Sequence, residues 1–158
     1  MTRIVRTAEA RDAAGVALAH VECWREAYGH FLSAEYLDRR DLETFRRRWE
    51  TTLAEPPVAT SICVLDVGGE VRGFAMSGPS DDGEGRELFA IYQFASEHGS
   101  GSGAELLEGV LLGESASLWV AEKADRARAF YGRNGFGPTG ERKIEEAIEG
   151  ISVVRMAR

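Results

Sequence analysis

The chain of 158 residues is poor in the residues that build metal, disulfide and membrane structures. It has two cysteines and three histidines. Cys23 and Cys63 lie far apart and in no CxxC pattern, which excludes a disulfide framework or a zinc site. Both read as buried free thiols of a reducing compartment. His20, His30 and His98 show no metal-ligand spacing, so no metal is expected. No apolar run approaches the ~20 residues of a membrane span. The first fifteen residues, "MTRIVRTAEARDAAG", lack the apolar core of a signal peptide. From these absences the protein is expected in the cytoplasm, away from membranes. Positive charge is also short: 19 Lys and Arg against 26 Asp and Glu, a net charge of −7. That balance argues against a nucleic-acid partner.

What is present suits one globular domain over residues 1–158. Hydrophobic residues make up 44% and charged residues 28%, an ordinary balance for a chain of this size. "RIVRTA" (3–8) reads as a first strand. Asp12 is placed to cap a long helix, whose apolar stripe is Ala14, Ala17, Leu18, Val21, Trp24 and Tyr28. Residues 33–53 form a charge-rich helical region broken in two, ended by "EPPVAT". "SICVLDV" (61–67), "GG" and "EVRGFAMSG" (70–78) read as a hairpin. "RELFAIYQFA" (86–95) has few charges and suits a central strand. A helix at 103–114, a strand at 115–122, a short helix at 125–134 with Asp125 as cap, and a closing strand at 151–158 follow. The order is that of an α/β fold with a mixed sheet. The closing strand is a plausible edge for a homodimer.

The stretch "HGSGSG" (98–103) joins the central strand to the next helix. A flexible linker has nothing to separate here. Gly99-x-Gly101-x-x-Ala104 matches a dinucleotide fingerprint, with Glu122 about 20 residues on. Four residues, Ala95 to His98, separate the strand from the first glycine, whereas that fold turns almost at once. The remaining reading uses the free amides and dipole of a helix N-terminus to hold anionic oxygens.

From Glu87 to Gly137 the chain resembles the core of the GNAT superfamily of N-acetyltransferases. "ELFAIYQF" resembles its central strand, "HGSGSG" its pyrophosphate turn and "LWVAEKADRARAFYGRNGF" (118–136) its last strand and helix. "EARDAAGVALAHVECWREAY" resembles its first helical region. The resemblance implies a mixed, mostly antiparallel sheet of six to seven strands, about four flanking helices and a splayed central strand pair. It also implies direct transfer of acetyl from acetyl-CoA to a primary amine on a small molecule or peptide. Three positions depart from the pattern: His98 where Gln or Arg begins the turn, Ser100 where a basic residue is common, and Ala124 where Asn often stands. A catalytically silent CoA-binding module is therefore an alternative.

The resemblance assigns Tyr131 as the acid that protonates the leaving thiolate. Tyr92, Gln93, Phe94, His98, Gly99, Ser100, Gly101, Ser102, Gly103, Ala104 and Tyr131 become the cofactor residues. The central strand, around Gln93 to Ala95, would offer an N–H to the carbonyl oxygen and pair with the pantetheine arm. Alternation groups Glu87, Phe89, Ile91 and Gln93 on one face, where Glu87 is a candidate base acting through water. An exposed strand-end Glu is the plain alternative. Glu97 is a weaker, exposed candidate. His20 reads as structural. Arg39, Arg40, Arg46, Arg47 and Arg48, interleaved with acids, read as a solvated helix face. Trp24, Tyr28 and Tyr36 are expected to line the acceptor pocket or to pack the core.

Overall fold

The computed structural model describes all of residues 1–158. Its strands are β1 (Arg3–Thr7), β2 (Ser61–Val67), β3 (Glu70–Pro79), β4 (Arg86–Gln93), β5 (Ser117–Ala121), β6 (Gly137–Glu145) and β7 (Ile151–Ala157). Its helices are α1 (Ala13–Tyr28), α2 (Ala34–Asp38), α3 (Leu42–Ala54), α4 (Ser102–Leu111) and α5 (Asp125–Arg133). The strands form one sheet in the order β1-β2-β3-β4-β5-β7-β6. Every neighbouring pair is antiparallel except β4 and β5. A doubly wound dinucleotide fold needs a largely parallel sheet, so that reading of the glycine turn is excluded.

The two faces of the sheet carry separate apolar clusters. On one face α4 presents Leu106, Leu107, Val110 and Leu111 to Leu65, Leu88 and Leu118. On the other, α1 and α3 place Val16, Ala17, Phe45 and Trp49 against Val64 and Phe74. Phe74 is wholly buried at the sheet centre, where truncation to Ala costs about 3–5 kcal/mol. The buried face of α1 starts at Ala13 and runs through Val16, Ala17, Val21 and Trp24. Ala14 and Leu18, expected on that stripe, are exposed. The covered face is the one packed on α3 and the sheet, and in a helix apolar on more than one side a periodic reading cannot tell which that is.

Asp12 precedes α1 but makes no side-chain cap to it. Its carboxylate takes two bonds from Arg6, at 2.8 and 2.9 Å, and the Glu9 N–H at 2.7 Å. A bidentate guanidinium outcompetes a single helix amide. Asp125 is the first residue of α5 rather than its cap, which is Ala124 without a side-chain bond. The closing strand β7 is not an edge, because it lies between β5 and β6. The edge strands are β1 and β6, so an edge-to-edge dimer through β7 is ruled out. The sequence reading missed β6 altogether: it is exposed along most of its length and rich in charge, as a protected edge strand is.

Candidate active site

β4 and β5 run side by side, but their registered pairing is confined to Glu87 and Ser117. Beyond that point they diverge. The chain leaves the open end of β4 through a short 3-10 turn, Ala95–Glu97, and the glycine stretch, then enters α4. α5 follows β5 and closes the other side of the opening. The split therefore has a strand wall, a helix N-terminus and a second helix around one cleft.

The turn is held by its own side chains. Ser102 Oγ donates to Gln93 Oε1 at 2.8 Å, and Ser100 Oγ donates to the Glu97 carbonyl at 2.6 Å. His98 Nε2 lies 3.2 Å from the Gln93 carbonyl, and Arg126 Nη2 contacts His98 Nδ1. Those partners assign the tautomer: Nε2 carries the proton and Nδ1 accepts. Gly99 and Gly101 have φ of +79° and +87°, left-handed values that glycine adopts without steric cost. A Cβ on Gly103 would stand 3.0 Å from Phe130, so that glycine lets α5 close on α4. The N–H groups of Gly99, Gly101, Gly103 and Ala104 have no acceptor within the protein. They sit at the positive end of the α4 dipole.

The strand wall has the same selectivity. Phe94 donates its N–H to Arg72 O at 3.0 Å, and its carbonyl accepts from Glu97 N–H at 2.8 Å. Both Phe94 backbone groups are thus engaged. In an antiparallel ladder the neighbouring residue points its groups away from the partner strand. The Gln93 N–H and carbonyl accordingly face the split, and the carbonyl is the one His98 takes.

Three phenols from different elements lie within electrostatic reach of one another: Tyr28 on α1, Tyr92 on β4 and Tyr131 on α5. Burial first, and then the Tyr28 phenol, push Tyr131 well above the ordinary tyrosine value, so its proton stays on at neutral pH. Burial does the same to Tyr92. The Tyr131 ring packs against Phe130 and Phe136, with centroids 5.5 and 5.9 Å apart. Glu87 is elsewhere. It lies where β4 and β5 still touch, accepting from Ser80 Oγ at 2.9 Å. Roughly 15 Å of strand separates it from Tyr92. The expected face grouping also fails at Phe89. A bulge lies opposite Met76 and Ser77, and both Leu88 and Ile91 pack on the α4 side.

Other candidates resolve by contact. Glu97 is buried, not exposed. Its Oε2 lies 2.5 Å from Arg3 Nη1, an ion pair without hydrogen-bond geometry, since that oxygen has no bonded donor. His20 accepts from Trp49 Nε1 at 3.1 Å among Phe45, Phe74 and Tyr92. Burial, then Arg40 and Arg48, lower its pKa to about 4. Tyr36 borders a cavity beside α3, while Trp24 lies buried behind it, stacked on Tyr28 at 4.7 Å. The arginine run is not one solvated face. Arg46 and Arg47 pair with Glu43, and Arg46 also with Glu50. Arg40 instead lies over the Trp24 ring at 3.7 Å. Sequence reasoning missed Arg40, and nothing in its local pattern marks it. It also missed Arg126, for which a signal exists. A cation in the first turn of a helix opposes the dipole and needs a reason to be there.

Residues 18–136 match the model of the acetyltransferase (GNAT) family. The chain belongs to the GNAT acetyltransferase family. It is 30% identical over 106 residues to the uncharacterized N-acetyltransferase YuaI of Bacillus subtilis, a match covering 65% of this chain and 59% of that protein. It is 26% identical over 153 residues to a probable N-acetyltransferase of Mycobacterium tuberculosis, covering 94% and 88%. Among solved structures it resembles PaiA N-acetyltransferase from Thermoplasma acidophilum in complex with coenzyme A. The TM-score is 0.68 at 17% identity, over 98% of both chains. Apo YjaB from Escherichia coli gives a TM-score of 0.71 at 21% identity, over 99% and 97%. Both structural matches support the GNAT fold, with its seven strands and split sheet. No helix of this GNAT chain is long and apolar enough to cross a membrane.

Proposed function

We propose that this protein transfers an acetyl group from acetyl-CoA directly to a primary amine of a small-molecule or peptide acceptor, in the cytoplasm. The observation that carries the reading is the set of unpaired amides at Gly99, Gly101, Gly103 and Ala104, at a helix N-terminus beside Tyr131. That donor set fits a pyrophosphate. Arg126 adds the positive charge that Ser100 does not supply. Acetyl-CoA brings the activated acyl thioester. The chain's residues do the rest. The glycine turn holds the phosphates. The Gln93 N–H donates toward the carbonyl oxygen as negative charge develops there. Tyr131 keeps its proton until a thiolate leaves and then donates it. Glu87, held at the closed end of the split by Ser80, enters only as a remote base, which needs a chain of several waters along the split to reach the amine. Ser100, Ser102 and Phe94 support the turn and strand rather than offering free groups. Neither cysteine takes part: Cys23 and Cys63 are buried free thiols whose pKa burial raises, the opposite of an activated nucleophile.

Ligand-dependent melting tests this reading. Acetyl-CoA is expected to raise the melting temperature, and NAD and NADP to leave it unchanged. CoA release with an amine panel then separates an enzyme from a silent binder. Stabilisation by NAD or NADP but not by acetyl-CoA defeats the proposal.

A further inference from the structure

Between α2, α3 and the turn joining β6 to β7 lies a cavity of about 410 Å³. Arg39, Arg40 and Arg48 form its cationic wall. None of the three has a carboxylate within ion-pair distance, although Arg46 and Arg47 on the same segment are paired. Arg40 is the most enclosed. Its guanidinium lies 3.7 Å from the Trp24 ring centre and 4.6 Å from that of Phe45. Its Nε is buried with no acceptor. Stacking on aromatic rings stabilises a cation but does not replace the water or carboxylate it gives up on burial, so the guanidinium is left short of a counter-charge.

The opposite wall is fixed by hydrogen bonds. Tyr36 OH donates to the Ala147 carbonyl at 3.2 Å. Glu149 accepts from both the N–H and the Oγ of Ser33, each at 2.8 Å. Of the two carboxylates on that wall, Glu149 is engaged by Ser33 and lies within electrostatic reach of Arg39, and Glu146 is within ion-pair distance of none of the three arginines, so neither neutralises Arg40. Arg40 relates this cavity to the split. Arg40 is within electrostatic reach of Tyr92 and Tyr28, and those phenols neighbour Tyr131.

We propose that Arg40, supported by Arg39 and Arg48, seats an anionic group on the amine acceptor, a carboxylate or a phosphate. The inference rests on the acetyl-transfer reading for the identity of the acceptor as an amine. It selects amino acids, acidic peptides and phosphorylated amines over polyamines and other polycations. An aromatic-backed guanidinium also favours planar, two-point recognition of the anion.

Matched pairs test it: phenylalanine against phenylalaninamide for a carboxylate, O-phosphoethanolamine against ethanolamine for a phosphate, and spermidine as the polycation. With acetyl-CoA, the anionic member of at least one pair should have a kcat/KM ten or more times that of its neutral partner. Which pair responds identifies the anion. Arg40→Gln should raise KM for that acceptor ten- to a hundredfold and leave the neutral partner unchanged. Arg47→Gln, on the same helical segment but paired with Glu43, should change neither. The proposal is overturned if spermidine or the neutral partners match the anionic ones, if the preference survives Arg40→Gln, or if no anionic probe is used while acetyl-CoA stabilises the protein. Failure of acetyl-CoA to stabilise it defeats the transfer reading instead. The anion seat is then judged by inorganic phosphate, whose effect on melting must vanish in Arg40→Gln.

Discussion

Gly101→Ala isolates the role of the turn, because the fold supplies a matched control. Gly101 has φ of +87° and Gly140, in β6, has φ of +89°; a Cβ at either position would meet nothing within 4 Å. Neither substitution creates a clash. Each imposes the left-handed penalty of an L-residue, about 1–2 kcal/mol, which for a chain of this length lowers the melting temperature by roughly 2–8 °C. The two variants should therefore lose similar stability. They differ in what relaxation does. If the alanine introduced in place of Gly101 shifts toward negative φ, the amides of this position and of Gly103 rotate away from the site. Losing one hydrogen bond to a charged phosphate costs about 1.5–3 kcal/mol, or roughly ten- to 150-fold in Kd. Calorimetric titration with acetyl-CoA should show that loss for Gly101→Ala and near-native affinity for Gly140→Ala. Equal weakening in both variants, or native affinity in Gly101→Ala, would show that the amide cradle is not what holds the cofactor.

Three further outcomes follow from the same geometry. Tyr131→Phe leaves the ring packing on Phe130 and Phe136 in place and should lower kcat about 10²- to 10⁴-fold while acetyl-CoA still raises the melting temperature; unchanged turnover removes the acid role. Arg126→Gln should weaken acetyl-CoA binding by about tenfold and flatten its salt dependence, and an unaltered salt slope would free Arg126 from the phosphates. His20 has its pKa lowered to about 4 by burial and by Arg40 and Arg48, so the fold favours its neutral form. Its contribution is complete above the unfolded value near 6.5 and is lost as pH falls through 4, a total of about 3 kcal/mol. His20→Gln should remove that part of the acid destabilisation, and a melting profile between pH 7 and 4 that matches the native protein would refute it.

The strand, turn and helices of the proposed cofactor site were legible because they are nearly continuous in the chain. Residues 86–104 supply the strand, the turn and the helix start, and residues 125–136 supply the closing helix. Glycines at left-handed positions and an apolar stripe on α4 are local signals, readable one at a time. The details that failed were those set by pairing. Alternation placed Glu87 and Ile91 on one face, but the bulge at Phe89 shifts the register. Phe94 looked as available as Gln93, until the ladder with Arg72 consumed its N–H. Ser100 looked like a missing charge. It is a brace of the turn, and the positive charge beside the turn stands on another element, at Arg126.

The side proposed for the acceptor was illegible for a different reason. Its cavity is assembled from α2, α3 and the turn after β6, segments about 100 residues apart in the chain. Arg40 stands in a run of alternating charges whose composition favours a solvated face, and for Arg46 and Arg47 that holds. What separates Arg40 from them is Trp24, sixteen positions earlier on α1, which draws the guanidinium inward and away from any carboxylate. Tyr36 and Ser33 then bind the β6–β7 turn across the opening. A cofactor shared by a family can be held by backbone at one local turn. On the anion-seat proposal, acceptor choice rests instead on the distant contacts that set which side chains lose their counter-ions. The unpaired guanidinium, rather than the glycine turn, is therefore where this chain's own specificity should be sought.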